Sequence, residues 1–416
     1  MLLVLWTLSG CSPEPTSRLP RPPLPIPADA QVLETDGRVG GRLNYSLSGE
    51  PSSFNFATAQ DTRTRLVTYL ITGTLLEFDF EQLTVGPGVA GKWSLSPDSR
   101  TMRIELREGL RFSDGRAVTA EDVIFTLDRL FQDGSQTTLA ASLRIEGHPL
   151  GYRRVNDSSV EITFPQKFAA AEYALTTIPV FPAHLMSHQD RKLEDYWTLN
   201  VDPSSMAGLG PFVIAEHHPS RKTILRYNPH YWKVDKLGQR LPYLDEIVIH
   251  YIPQRDTQIL RLEAGELDLL DAQVRPSDLN RLEGKGFQLL DAGPSVQLKF
   301  LWFNQNPGAP KLSPSKRNWF ANADFRRAVS IGISRRAIVE HVFQGRAEEA
   351  WSLMPSSIRT WHAPSVRKYP YDPAQARRLL MEAGFSWIEE GGRTRLVDAE
   401  RSPVQFEVFC RSDQQW

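Results

Sequence analysis

Between Ser99 and Phe131 the chain reads SRTMRIELREGLRFSDGRAVTAEDVIFTLDRLF, a stretch that leaves little structural freedom. Met102, Ile104 and Leu106 alternate with Arg103, Glu105 and Arg107, the period-2 pattern of a strand with one buried face. Ser113-Asp114-Gly115 follows as a tight turn, where glycine takes a positive φ at no steric cost. Thr119-Ala120-Glu121-Asp122 then has the spacing of a capping box, with the Asp122 carboxylate able to reach back to the Thr119 amide. Val123, Leu127 and Leu130 behind it give the i, i+4, i+7 stripe of an amphipathic helix. Strand, turn and capped helix therefore succeed one another with no slack.

The chain has 416 residues, more than one compact core accommodates, so two or three domains are expected. Its residues are 41% hydrophobic and 10% aromatic, enough for several cores. The formal net charge of −1 argues against a nucleic-acid partner, which needs a basic face. Past the N-terminus no run approaches the roughly 18 apolar residues of a membrane span.

Met1–Leu8 is a short apolar run, and Leu8-Ser9-Gly10-Cys11 resembles a bacterial lipobox, in which cleavage before the cysteine precedes its acylation. Residues 1–11 are thus expected to be a lipoprotein signal, with Cys11 as the lipid anchor. The plainer reading is a hydrophobic N-terminus with a stray cysteine. Pro13, Pro15, Pro20, Pro22, Pro23, Pro25 and Pro27 follow, so residues 12–40 are expected to be a stiff tether that packs against nothing. Cys410 is the second and last cysteine, which leaves no internal disulfide once Cys11 is acylated.

Several segments beyond the opening one carry a family likeness. Leu106-Arg107-Glu108-Gly109-Leu110-Arg111-Phe112-Ser113-Asp114-Gly115 with Thr119-Ala120-Glu121-Asp122-Val123 is similar, almost position for position, to the signature of the family 5 extracellular solute-binding proteins. These are the dipeptide- and oligopeptide-binding components of bacterial ABC importers. Gly208-Leu209-Gly210-Pro211-Phe212 with Asn228-Pro229-His230-Tyr231-Trp232 resembles a second signature, with Leu209 where the family has Thr. Gly265-Glu266-Leu267-Asp268, the stretch Leu298–Asn304, Ala323–Val329 and Asp372–Gly384 continue the likeness in family order. The opening loop Glu50–Asn55 fits as well, although Phe56 replaces the usual Pro.

The resemblance implies an α/β, type II periplasmic-binding-protein-like two-lobed fold with mixed sheets and an extra inserted subdomain. The corresponding boundaries are 41–82 and 207–297 for the first lobe, 83–206 for its inserted subdomain, and 298–416 for the second lobe. Family members continue well past the position of Trp416, so the second lobe is expected to be unfinished. Helices are expected over 65–76 and 257–264, and a crossover strand over Leu298–Asn304.

No catalytic constellation is visible: there is no H-E-x-x-H, no G-x-S-x-G and no phosphate loop. His184 and His188 have the i, i+4 spacing of metal ligands, but a surface helix end explains them more simply. His217-His218 reads as an exposed pair; Arg326 and Arg327 could bind a ligand carboxylate bidentately, with a solvated helix face as the plainer reading. The expectation is a non-enzymatic receptor with no cofactor or metal. The family likeness implies that it closes a hinge on a peptide and delivers it to ABC permease subunits. Nickel, opine or oligosaccharide receptors of the same family are the alternatives, with an envelope peptidase as the rival from another class. By the same likeness, Tyr45, Glu50, Ser53, Phe54 and Asn55 face the ligand from the first lobe. Leu301, Trp302 and Asn304 face it from the second. For Tyr45 and Trp302 core packing is the plainer alternative.

Overall fold

The computed structural model describes residues 2–5, 19–80, 82–135, 137–187, 191–271, 274–291 and 293–409. The signal and anchor expected at Met1–Cys11 therefore lie, except for the strand Leu2–Leu5, outside the described residues, as does Cys11 itself. The chain divides into two compact units: Leu8–Gln273, and Met1–Thr7 together with Val274–Trp416. The division falls at Val274, ahead of the 298 expected from the family likeness.

The larger unit holds two main sheets. One has five strands in the order Phe212–His218, Lys222–Tyr227, Glu246–Tyr251, Arg42–Leu47 and Leu269–Leu270. The first three run antiparallel, whereas Arg42–Leu47 lies parallel to both of its neighbours. Parallel neighbours require crossover chain, and here it is the whole stretch from Ser48 to Asp245. Glu246–Tyr251 is buried at five of its six positions, as befits a central strand covered on both faces.

The other sheet is an antiparallel four-stranded one, ordered Ala90–Leu95, Thr101–Leu106, Ser159–Thr163 and Gly151–Asn156. Met102 and Ile104 are completely buried, as the alternation predicts. Helix Ala120–Phe131 lays Val123, Leu127 and Leu130 into the same core. Its capping is seen: Thr119 N–H donates to Asp122 Oδ2 at 2.9 Å. The other carboxylate oxygen accepts Ala183 N–H at 3.0 Å, which ties the helix start to a distant loop.

The expected helix over 65–76 instead spans Thr62–Ile71, started by Asp61, whose carboxylate accepts Thr64 N–H. It ends where Gly208 and Gly210 cross it. A Cβ on Gly208 would stand 1.9 Å from the Ile71 carbonyl oxygen, so only glycine lets these backbones meet. The helix expected over 257–264 covers Arg255–Glu263.

The tether expectation for residues 12–40 is corrected from Leu19 onward. Arg21 donates to Pro242 O at 2.7 Å and Tyr243 O at 2.8 Å, pairs with Asp245 at 3.0 Å, and lies over the Tyr227 ring. Arg240 donates to Leu24 O and Pro25 O, and Arg107 to Asp29 O. Gln31–Leu33 then adds as a parallel strand beside Lys233–Asp235. Prolines remove backbone donors but keep their carbonyls, and arginines of the body claim carbonyls along this segment. Residues 19–33 form a strap held to the larger unit.

The smaller unit has its own core of Trp319, Phe320, Phe325, Ala328, Ile331, Ala376, Leu380 and Phe385. It is built by helices Pro314–Ala321, Ala323–Gly332 and Pro373–Glu382, with the hairpin Ser386–Glu390/Arg393–Val397. Asp372 caps the last of these helices through Gln375 N–H, and Gly384 follows it at φ +89°, as that segment's pattern predicts. The strand expected over Leu298–Asn304 is not formed: among the described residues no strand pairs with it, and an extended segment becomes a strand only through a ladder partner. Phe303 and Phe406, from two such unpaired segments, still meet in this core.

Candidate functional site

Of the eight residues expected to contact ligand, five lie in the larger unit on one strand and the loop after it. Tyr45 sits on the strand Arg42–Leu47 and is 7% exposed. Burial, reinforced by Asp271, pushes its phenol well above the ordinary range. Ser53 Oγ accepts Asn55 N–H and donates to Trp197 O, and Phe54 N–H donates to the same carbonyl. The Phe54 ring is fully buried, edge-on to His217 with centroids 5.0 Å apart. Asn55 Nδ2 donates to Leu193 O at 2.7 Å and Tyr196 O at 3.1 Å, while its Oδ1 accepts Ala57 N–H.

Tyr45 and Phe54 are thus packed into the larger unit, and Ser53 and Asn55 spend polar groups on its main chain. Buried donors and acceptors are satisfied by protein partners, and here those partners are main-chain groups that lock the loop. Ser53 and Asn55 hold the loop to the segment Leu193–Trp197. Glu50, 23% exposed at its side chain, accepts Ser220 N–H at 2.9 Å and faces His217 Nε2 at 3.3 Å.

His217 overturns another expectation. The sequence suggests half of an exposed pair, yet its side chain is 4% exposed. The strand Phe212–His218 pairs Ile214 with Leu225 and Glu216 with Ile224, leaving Ala215 as the extra residue of a bulge. A bulge reverses which alternate residues face inward. Phe212 and Ile214 point into the core before it, and His217 after it. Its Nδ1 meets Thr223 Oγ1 at 2.9 Å, and that hydroxyl is bonded to the Tyr251 hydroxyl. Burial holds the imidazole pKa below its usual value; Glu50 opposes the shift and His218 adds to it.

In the smaller unit the remaining three residues are open. Trp302 is 73% exposed and leans on Phe300, with ring centroids 5.3 Å apart. Leu301 is 47% exposed. Asn304 Oδ1 accepts Asn306 N–H, which fixes a local turn. Leu301 and Trp302 are exposed where Tyr45, Ser53, Phe54 and Asn55 are buried.

His184, considered for a metal, bonds Asp114 Oδ2 at 2.7 Å, and His188 lies outside the described residues. Among the described residues no group of three His, Cys, Asp or Glu could hold a metal ion. A groove that sequence reasoning missed lies beside His184, lined also by Arg116, Thr119, Glu121 and Asp122. Of the two arginines read as a solvated face, Arg326 donates to Phe320 O and Arg327 to Asp324. Arg107, on the polar side of the strand's alternation, is nevertheless 7% exposed and donates to Gly88 O and Asp29 O.

Among the described residues no helix is long and apolar enough to cross a membrane. The sequence profile of the bacterial extracellular solute-binding proteins, family 5 middle region, matches residues 84–416. A probable ABC transporter-binding protein of Deinococcus radiodurans is 27% identical over 361 residues, 83% of this chain and 59% of that protein. The oligopeptide-binding protein AppA of Bacillus subtilis is 24% identical, covering 94% of this chain and 66% of its own length. The chain thus spans about three-fifths to two-thirds of these relatives. Among solved structures, the ABC transporter substrate-binding protein CtaP of Listeria monocytogenes superposes with a TM-score of 0.68 at 22% identity, over 84% of this chain and 66% of that one. That likeness shows the two-lobed α/β fold.

Proposed function

Because the chain belongs to the family 5 bacterial extracellular solute-binding proteins, we propose that it captures peptides outside the cytoplasmic membrane and delivers them to the permease of an ABC importer. The single observation that carries this reading is the family match, which runs over residues 84–416 and takes in parts of both units. The oligopeptide-binding relative supports peptide as cargo.

Trp302 and Leu301 are the proposed apolar contacts, with Asn304 and Glu50 as polar ones. A flat indole accepts many side chains by stacking, while main-chain hydrogen bonds hold an extended peptide independently of its sequence. The N-terminal pattern supports acylation of Cys11 and residence on the cell envelope.

Mass spectrometry of ligand that co-purifies with the full-length protein tests the reading. Intact peptides are expected, unchanged in length after incubation with the protein. Recovery of a sugar, an opine or a nickel complex overturns the choice of cargo. Peptides that shorten with time overturn the receptor and install a peptidase.

A further inference from the structure

The strap changes how far the protein can stand from its membrane. A tether of residues 12–40 in the polyproline conformation would reach about 90 Å, at roughly 3.1 Å per residue. Instead the chain is caught at Leu19, whose N–H donates to Asp245 Oδ2 at 3.2 Å. Arg21 follows at once with its Asp245 pair and its bonds to Pro242 and Tyr243 carbonyls, and Tyr227 OH donates to Pro20 O at 2.7 Å. Arg240 then holds Leu24 and Pro25, and Arg107 holds Asp29. Arg21 and Asp245 are 224 residues apart and Arg240 and Pro25 are 215 apart, so the clasp belongs to the fold rather than to local chain preference.

We propose that the strap is a clasp that shortens the leash and turns one face of the larger unit toward the lipid. This inference rests on acylation of Cys11. Eight Cα steps separate Cys11 from Leu19, and a fully extended chain spans at most about 28 Å over them. The face around Tyr227 and Asp245, where the strap begins, is therefore the membrane-proximal one. The rows Arg42, Glu246 and Arg226, paired across neighbouring strands, border it. A receptor on so short a leash stays within reach of a membrane-embedded partner instead of sampling a wide shell.

Neutron reflectometry of the lipidated full-length protein on a supported bilayer of phosphatidylethanolamine and phosphatidylglycerol reads the gap between headgroups and protein. The expected gap is no wider than about 28 Å. Inserting ten Gly/Ser residues after Thr16 leaves the strap from Leu19 to Leu33 unaltered and is expected to widen it by about 8 Å. Arg21→Ala with Arg240→Ala is expected to widen and blur it as the strap releases. A wild-type gap of about 60 Å, or one unmoved by the insertion, overturns the clasp while the anchor stands. Failure of wild type to be retained any better than Cys11→Ser overturns the anchor, and the membrane placement with it.

Discussion

His217 Nε2 stands 3.3 Å from Glu50 Oε1, at an imidazole whose side chain is almost sealed from water. Burial lowers its pKa beneath the ordinary value near 6.5. The folded state therefore binds this proton less readily than the unfolded state does. Stability from the neutral imidazole is present above the unfolded pKa of about 6.5 and declines as pH falls below it. Each unit of depression corresponds to about 1.4 kcal/mol. Urea unfolding between pH 8 and pH 5 is expected to show a steeper acid loss in wild type than in His217→Gln. Parallel curves would exclude His217 as the source.

Phe54 and Trp302 are predicted to separate two properties that a ligand-binding role would couple. Phe54 is fully buried, so Phe54→Ala is expected to cost about 3–5 kcal/mol of stability. Trp302 is largely exposed, so Trp302→Ala is expected to change stability by no more than about 0.5 kcal/mol. Its effect should appear in binding of the co-purified peptide instead, as roughly a tenfold loss measured by calorimetry. A destabilised Trp302→Ala with unchanged affinity would return the indole to the core.

Much of the larger unit could be read from the chain because its signals are local. Met102 and Ile104 announce a buried strand face by period, and Asp122 announces a helix start by its distance from Thr119. What could not be read depended on partners remote in sequence. Nothing in the proline run shows that Arg240, some 215 residues away, will claim Pro25 O. Nothing in Phe212–His218 shows the bulge at Ala215, which alone decides that His217 faces inward. The alternation at Leu298–Asn304 is real, but period says which face is apolar and not which strand lies alongside. At the candidate site the loop Glu50–Asn55 was found through family likeness, while the division of its residues into framework and accessible groups needed burial.

Asp122 joins two segments through one carboxylate, with bonds from Thr119 N–H and Ala183 N–H. Burial pushes its pKa upward, and those two bonds pull the other way. Asp122→Ala is expected to cost about 1–3 kcal/mol, since it leaves both amides without their acceptor. Asp122→Asn keeps one acceptor oxygen and removes the buried charge, so less than half of that loss is expected in urea denaturation. Equal losses for both variants would show that charge, rather than acceptance, matters there.

Gly208 and Gly332 test whether close approach explains the glycine pattern. A methyl group on Gly208 would be driven against the Ile71 carbonyl, a backbone atom that cannot rotate away. Gly208→Ala is therefore expected to cost at least about 1–3 kcal/mol, as overpacking does. Gly332 closes the helix Ala323–Gly332 with nothing within 4 Å of the added carbon. There alanine restricts the unfolded chain without meeting a neighbour, so Gly332→Ala is expected to gain up to about 1 kcal/mol. Calorimetry resolves the two because the substitutions fall in different units. A tolerated Gly208→Ala would mean that the helix Thr62–Ile71 and the Gly208–Gly210 segment slide apart at little cost, and the tight crossing would lose its role in fixing them.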